Sequence, residues 1–221
     1  MNGSSGRRLA AVGAVAVVVL WVIGFFLAGK PPAFDASSEK VVDYYANHHK
    51  QVLIAVLMVS IGIAIFLAVM AQLAVYLRSV GQPSLGAAAL AGAAAIGGLF
   101  SVGAALYGVI SQVVAMGGAD PRLARALYQL NQFAGVPIYW LTLVIVVSVA
   151  LAAHRRVFPD WALWLSAVLA VIVILGGVSV KATGAFAAGT GAFAGIGFAA
   201  SMVFLLEVGV LLWTAKDPRA D

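Results

Sequence analysis

"VLIAVLMVSIGIAIFLAVMAQLAVYL", Val52 to Leu77, carries no charge and one amide, Gln72. At about 1.5 Å per residue the run outlasts the roughly 30 Å of a bilayer's hydrocarbon core, so it reads as a transmembrane helix. The rest of the 221-residue chain agrees. It is 63% hydrophobic and 10% charged, with a mean hydropathy of +1.06, which leaves a water-soluble domain too little polar surface to cover itself. Five further apolar segments are long enough to span: Leu9–Ala28, Leu85–Met116, Val136–Ala153, Trp161–Val180 and Ala192–Thr214. The expected fold is all-α, a polytopic bundle of six transmembrane helices forming a single membrane domain with no soluble domain attached.

Arg7 and Arg8 ahead of the first run resemble the basic region of a signal peptide. The apolar stretch is too long for that role, and no small-x-small cleavage box precedes Gly29, so a retained helix is expected. The third segment is rich in alanine and glycine. Gly92, Gly97, Gly98, Gly103 and Gly108 suggest close packing in a central position, since small residues let membrane helices approach. The stripe Ala187, Gly191, Gly195 and Ala199 repeats at intervals of four around the start of the sixth segment. It suits packing within the bundle or at a dimer seam.

Just before Val52 stands "VVDYYANHHKQ", Val41 to Gln51. Ser37 or Ser38 can cap a helix there, with Val41, Val42, Tyr45 and His49 on one face and Glu39, Asp43, Asn47 and Lys50 on the other. "GGADPRLARALYQLNQF" repeats the pattern: Asp120 caps, Pro121 takes the first helical position, Leu123, Leu127 and Leu130 point inward, and Arg122, Arg125 and Gln129 point outward. Both segments are expected to be short interfacial helices on the outer side of the membrane, where tyrosine and histidine present an apolar body and a polar tip. A binding role for Asp43, Tyr44, His48 and His49 is the sharper alternative. Adjacent histidines project about 100° apart on a helix and do not readily share a metal, so no metal site is expected. The helical pairs are Tyr44 with His48 and Tyr45 with His49.

An even number of spans puts both termini on one side. Basic residues are dense near Arg7, Arg8, Arg78, Arg155, Arg156, Lys216 and Arg219 and sparser on the other side, which makes the terminal side cytoplasmic in a bacterial plasma membrane. The formal charge of +5 has no dense basic run of the kind that nucleic-acid binding needs. Zero cysteines exclude disulfides and thiolate chemistry. No Gly-x-Ser-x-Gly, His-Glu-x-x-His or phosphate-binding loop is present, and neither an enzyme nor a cofactor is expected.

Glu207, in "MVFLLEVGVLLW", is the one acid inside a predicted span, about 10 Å from the inner end of its helix. Gln72 and Arg78 are its expected partners. A carboxylate at this depth is a functional candidate by default, because burying its charge is expensive. Two functions follow. One is a non-catalytic structural or accessory membrane component, in which Glu207 ties helices together and the partners are bilayer lipids, other membrane proteins or a second copy. The other is a small proton- or cation-coupled transporter or channel using Glu207, which needs an aqueous path to that residue.

"VVDYYANHHKQVLIAVLM", "FLAVMAQLAVYLRS", "ARALYQLNQF" and "FPDWALWLSAVLAVIVIL" together resemble a group of actinobacterial multi-helix integral membrane proteins built on a domain of unknown function. The likeness runs from about Pro31 to Leu175, and its clearest motif is Pro159, Trp161, Trp164 and Leu165. Asp160 departs from the pattern where a basic residue is expected. The resemblance implies a membrane helix bundle and no established activity.

Overall fold

The computed structural model describes residues 3–215; Lys216 and Arg219, which carry part of the charge asymmetry, lie outside them. Six helices follow in order: α1 Gly3–Ala28, α2 Ser38–Ser79, α3 Pro83–Ala115, α4 Pro121–His154, α5 Asp160–Gly177 and α6 Ala192–Thr214. All six are long and apolar enough to cross a membrane. Each packs against its neighbours in the chain and α6 returns to α1, so the helices form a closed ring. Across the ring the main packing is between α2 and α4.

The two amphipathic segments are not separate elements, because each runs on into the span that follows. α2 is 42 residues long, about 63 Å at the usual rise, and leaves helical geometry only at His48 (φ −117°, ψ 18°). α4 runs for 34 residues through Pro137. The caps are those the sequence signals. The Ser37 hydroxyl accepts from the Lys40 amide at 3.4 Å, and the Asp120 carboxylate accepts from the amides of Arg122 and Leu123 at 2.8 and 3.4 Å.

Helices α2, α3 and α4 therefore extend well past the 18-residue α5, and their extensions pack on one another. Val41, Tyr44, Tyr45, Val52, Ile110, Val114, Ala124 and Tyr128 form a small core there, distinct from the main one. In α2 the buried face is the expected one, with Val41 and Tyr45 fully buried and Asp43, Asn47 and Lys50 exposed. In α4 the expected face is only partly found: Leu127 packs against this small core and Arg122 is exposed. Leu123 and Leu130 are each 58% exposed, whereas Ala124, Tyr128, Gln132 and Val136 point inward. Arg125 and Gln129 are only half-exposed and donate to the carbonyls of Asp35 and Phe34, tying α4 to the α1–α2 loop.

The opposite end of the ring carries most of the arginines of the described residues. Arg7 lies over the Tyr76 ring (5.7 Å) and Arg8 over Trp213 (5.8 Å), Tyr76 stacks on Phe158 (5.7 Å), and Arg155 donates to the Gln82 side chain. Exposed Trp164 and Trp213 also sit at this end, as membrane-interface tryptophans do.

Small residues set the closest helix approaches, although not the ones the four-residue stripe marks. A side chain at Gly197 would meet Tyr139 at 2.9 Å and the Gly176 backbone at 3.1 Å, and one at Gly209 would meet Ala14 at 3.0 Å. Gly195 has nothing within 4 Å of where its Cβ would stand, while Ala187 and Gly191 belong to the turn before α6. Within α3, Gly92 packs on α4 and Gly97 on Leu67 of α2, but Gly98 faces open space. α3 is thus a ring member held between two neighbours.

Candidate functional site

A cavity of about 710 Å³ occupies the ring between the tyrosine-bearing end and mid-height. Its α6 wall is made by Ala194, Gly195, Phe198, Ser201, Met202, Phe204 and Leu205, about half of the helix circumference. Trp21 of α1, Phe66 of α2, Phe100 of α3 and Ile145 of α4 complete the body. Trp21 is fixed by an indole N–H donated to the Val59 carbonyl (3.3 Å) and by Gly62, whose missing side chain leaves room for the indole. Its ring meets Phe100 at 4.9 Å and Phe66 at 5.9 Å.

Polar groups line the mouth. Lys30 and Asp35 come from the α1–α2 loop, Asn131 and Gln132 from α4, and Thr183 and Thr190 from the α5–α6 connection. That connection extends the mouth as an ordered cap. Lys181 and Ala187 form an isolated parallel bridge, Ala187 and Ala188 are buried, and Gly189, at φ +66°, lies so close to Gln132 that no side chain fits. Gln132, itself 8% exposed, donates to the Tyr107 hydroxyl at 2.9 Å.

Deeper hydroxyls are committed elsewhere. Thr142 donates to the Ile138 carbonyl at 2.8 Å, Ser201 to Gly197 at 2.9 Å, and Tyr139 to Ala194 at 2.7 Å. The cavity is therefore polar at its rim and apolar beneath. A smaller void of about 250 Å³ adjoins it, sharing Trp21, Phe25, Phe100, Asn131 and Phe198.

Glu207 stands outside this space. It is 3% exposed, accepts from the Ser166 hydroxyl at 3.0 Å through Oε1, and has no partner for Oε2. It lies about 60° around α6 from the lining residue Phe204 and turns towards α5. Ser166 is the partner in place of Gln72 and Arg78. Gln72 packs against α1, within 3.2 Å of where a Gly6 Cβ would stand, and Arg78 is exposed. A serine six residues into α5 gives no sequence signal that it will meet an acid 41 residues later.

Of the candidates Asp43, Tyr44, His48 and His49, the first three edge one cleft, whereas His49 turns to α3. Tyr44 and His48 stack at 5.0 Å, and His48 Nδ1 lies 3.0 Å from the Tyr44 carbonyl. His49 Nδ1 faces the Ser111 carbonyl (3.1 Å) and hydroxyl (2.9 Å) on α3, and the Ser111 hydroxyl donates to the His49 carbonyl at 3.4 Å. Carbonyls only accept, so Nδ1 carries the hydrogen in both imidazoles. The Tyr44 hydroxyl donates to Ala28 at 2.7 Å, and that of Tyr128 donates to Pro32, while the buried Tyr45 hydroxyl has no partner. The cleft that Asp43, Tyr44 and His48 edge together with Lys30 and Asn47 is shallow. Among the described residues, no three His, Asp or Glu side chains gather as ligands to a metal would. The arrangement can hold helices and an apolar guest. Compared with protein-family models, with curated proteins and with solved structures, the chain matches none.

Proposed function

We propose that this protein is a non-catalytic, multi-pass component of the bacterial plasma membrane, structural or accessory to an assembly. The observation that carries this is the separation of Glu207 from the cavity. Glu207 is not among the residues that line the open volume, its carboxyl group meets Ser166 of α5 instead, and the deep hydroxyls of the cavity are committed to backbone carbonyls. A coupling site needs a path along which an ion or proton reaches its carboxylate. Glu207 instead joins α5 to α6 through Ser166, a helix tie of the kind membrane bundles make with polar side chains. The resemblance to actinobacterial membrane proteins accords with this, since it implies location without an activity.

Glu207→Gln keeps shape and hydrogen bonding but removes the ability to ionise. As a tie, the amide is expected to preserve thermal stability in detergent to within about 1 kcal/mol, the scale of one interhelical hydrogen bond. Glu207→Leu strands the Ser166 hydroxyl and costs more. Vesicles containing the parent protein are expected to show no flux driven by a pH gradient. A stable Glu207→Gln protein that loses a flux measured in the parent overturns the proposal.

A further inference from the structure

We propose that the ring cavity is a binding site for a lipid-type amphiphile, with one long apolar chain among Trp21, Phe66, Phe100 and Phe198 and an oxygen-bearing head at the Lys30–Asn131–Gln132 rim. This rests on the reading of the chain as a non-catalytic membrane component.

Size and polarity both point to such an occupant. At about 710 Å³ the cavity is within the roughly 300–1,000 Å³ typical of small-molecule sites. Its body offers a hydrated ion no free donor, because Thr142, Ser201 and Tyr139 all donate to backbone carbonyls. Aromatic and aliphatic walls of this kind stay dry and take apolar guests. The mouth is different. Lys30 and Asn131 bring an ammonium and an amide to the mouth as N–H donors for an acceptor oxygen, beside Gln132, whose amide already donates to Tyr107, and with Asp35 the one anionic group among the lining residues. A molecule whose apolar length lies below and whose polar end lies above matches that gradient, and the bilayer surrounds the ring with such molecules.

Two glycines make the proposal testable without disturbing the packing. Gly135 and Gly195 both line the cavity, and neither has an atom within 4 Å of where its Cβ would stand. A side chain at either position is therefore accommodated at the cavity wall, where phenylalanine is expected to take up part of the open space.

The test uses Trp21 as reporter, with Trp140, Trp161, Trp164 and Trp213 replaced by phenylalanine, in vesicles of unbrominated phosphatidylcholine. The probe is 9,10-dibromostearic acid, whose bromines quench an indole only on contact. Saturable, single-site quenching at low probe content is expected, with apparent affinity about tenfold weaker or more after Gly195→Phe or Gly135→Phe. Quenching that rises only in proportion to bulk probe, or that is equal in the filled variants, overturns the proposal. If the reporter background does not fold, native mass spectrometry of the wild-type chain with the same probe decides. A one-to-one adduct lost in Gly195→Phe supports the site, and no adduct, or one retained, sinks it. The two readings fail separately, because absence of binding leaves the flux result at Glu207 untouched.

Discussion

His48 and His49 show how one dipeptide does two jobs. At His48 the backbone leaves helical geometry and the ring nitrogen faces the carbonyl of Tyr44, four residues back. At His49 the ring reaches α3 and meets Ser111, which is completely buried. One residue bends α2 and the next fastens it. His49→Ala and Ser111→Ala are each expected to lower stability by about 1 kcal/mol, the net worth of a buried hydrogen bond, and the double variant by less than their sum. Thermal unfolding in detergent reads this, and additive losses would show that the two side chains act independently. His48→Ala is expected to leave metal content unchanged. Stoichiometric zinc, copper or iron in the purified protein, lost on that substitution, would instead make the outer helix a metal site.

At the scale of the element, α6 separates a glycine that packs from one that merely repeats. Gly197→Leu forces a side chain into Tyr139 and the α5 backbone, and a loss of about 1–3 kcal/mol or more is expected from overpacking. Gly195→Leu is expected to be tolerated, since its side chain enters open cavity. Equal melting temperatures for the two variants would contradict this assignment of faces. The same contrast shows what the sequence makes legible. Uncharged runs such as Val52–Leu77 disclose the spans because length and hydropathy alone decide them. Which glycines lie in a seam depends on tertiary neighbours, and a four-residue interval carries no record of those. The inward face of α4 was hidden for a related reason. Leucines at helical spacing mark a core only when water lies outside, and in a membrane protein apolar side chains can equally face outward, leaving Tyr128 and Gln132 to the interior. Glu207 was visible as a buried acid, whereas its serine partner and the cavity were not, because the first depends on how α5 packs on α6 and the second on ring closure.

Across the whole molecule, the ring gives its two ends different characters. One end is short and held by Arg7, Arg8 and Arg155 against aromatic rings and a glutamine. The other end rises on α2, α3 and α4 into a tyrosine core and holds the cavity mouth between two loops. Arginine is retained on the cytoplasmic side during insertion, so we propose that the arginine-rich end faces the cytoplasm, which would open the mouth outward. The chain has no cysteine, and single cysteines introduced by mutation can report this directly. Cysteines replacing Ser38 at the α2 N-terminus and Ala119 before α4 are expected to react from outside intact cells with an impermeant thiol reagent. Cysteines replacing Ser79 and Ala215, at the arginine end, are expected to react only after the membrane is opened. Labelling of Ser79 but not Ser38 from outside would invert the assignment and turn the cavity towards the cytoplasm. Labelling of both would mean that α2, despite its 42 residues, does not cross the bilayer.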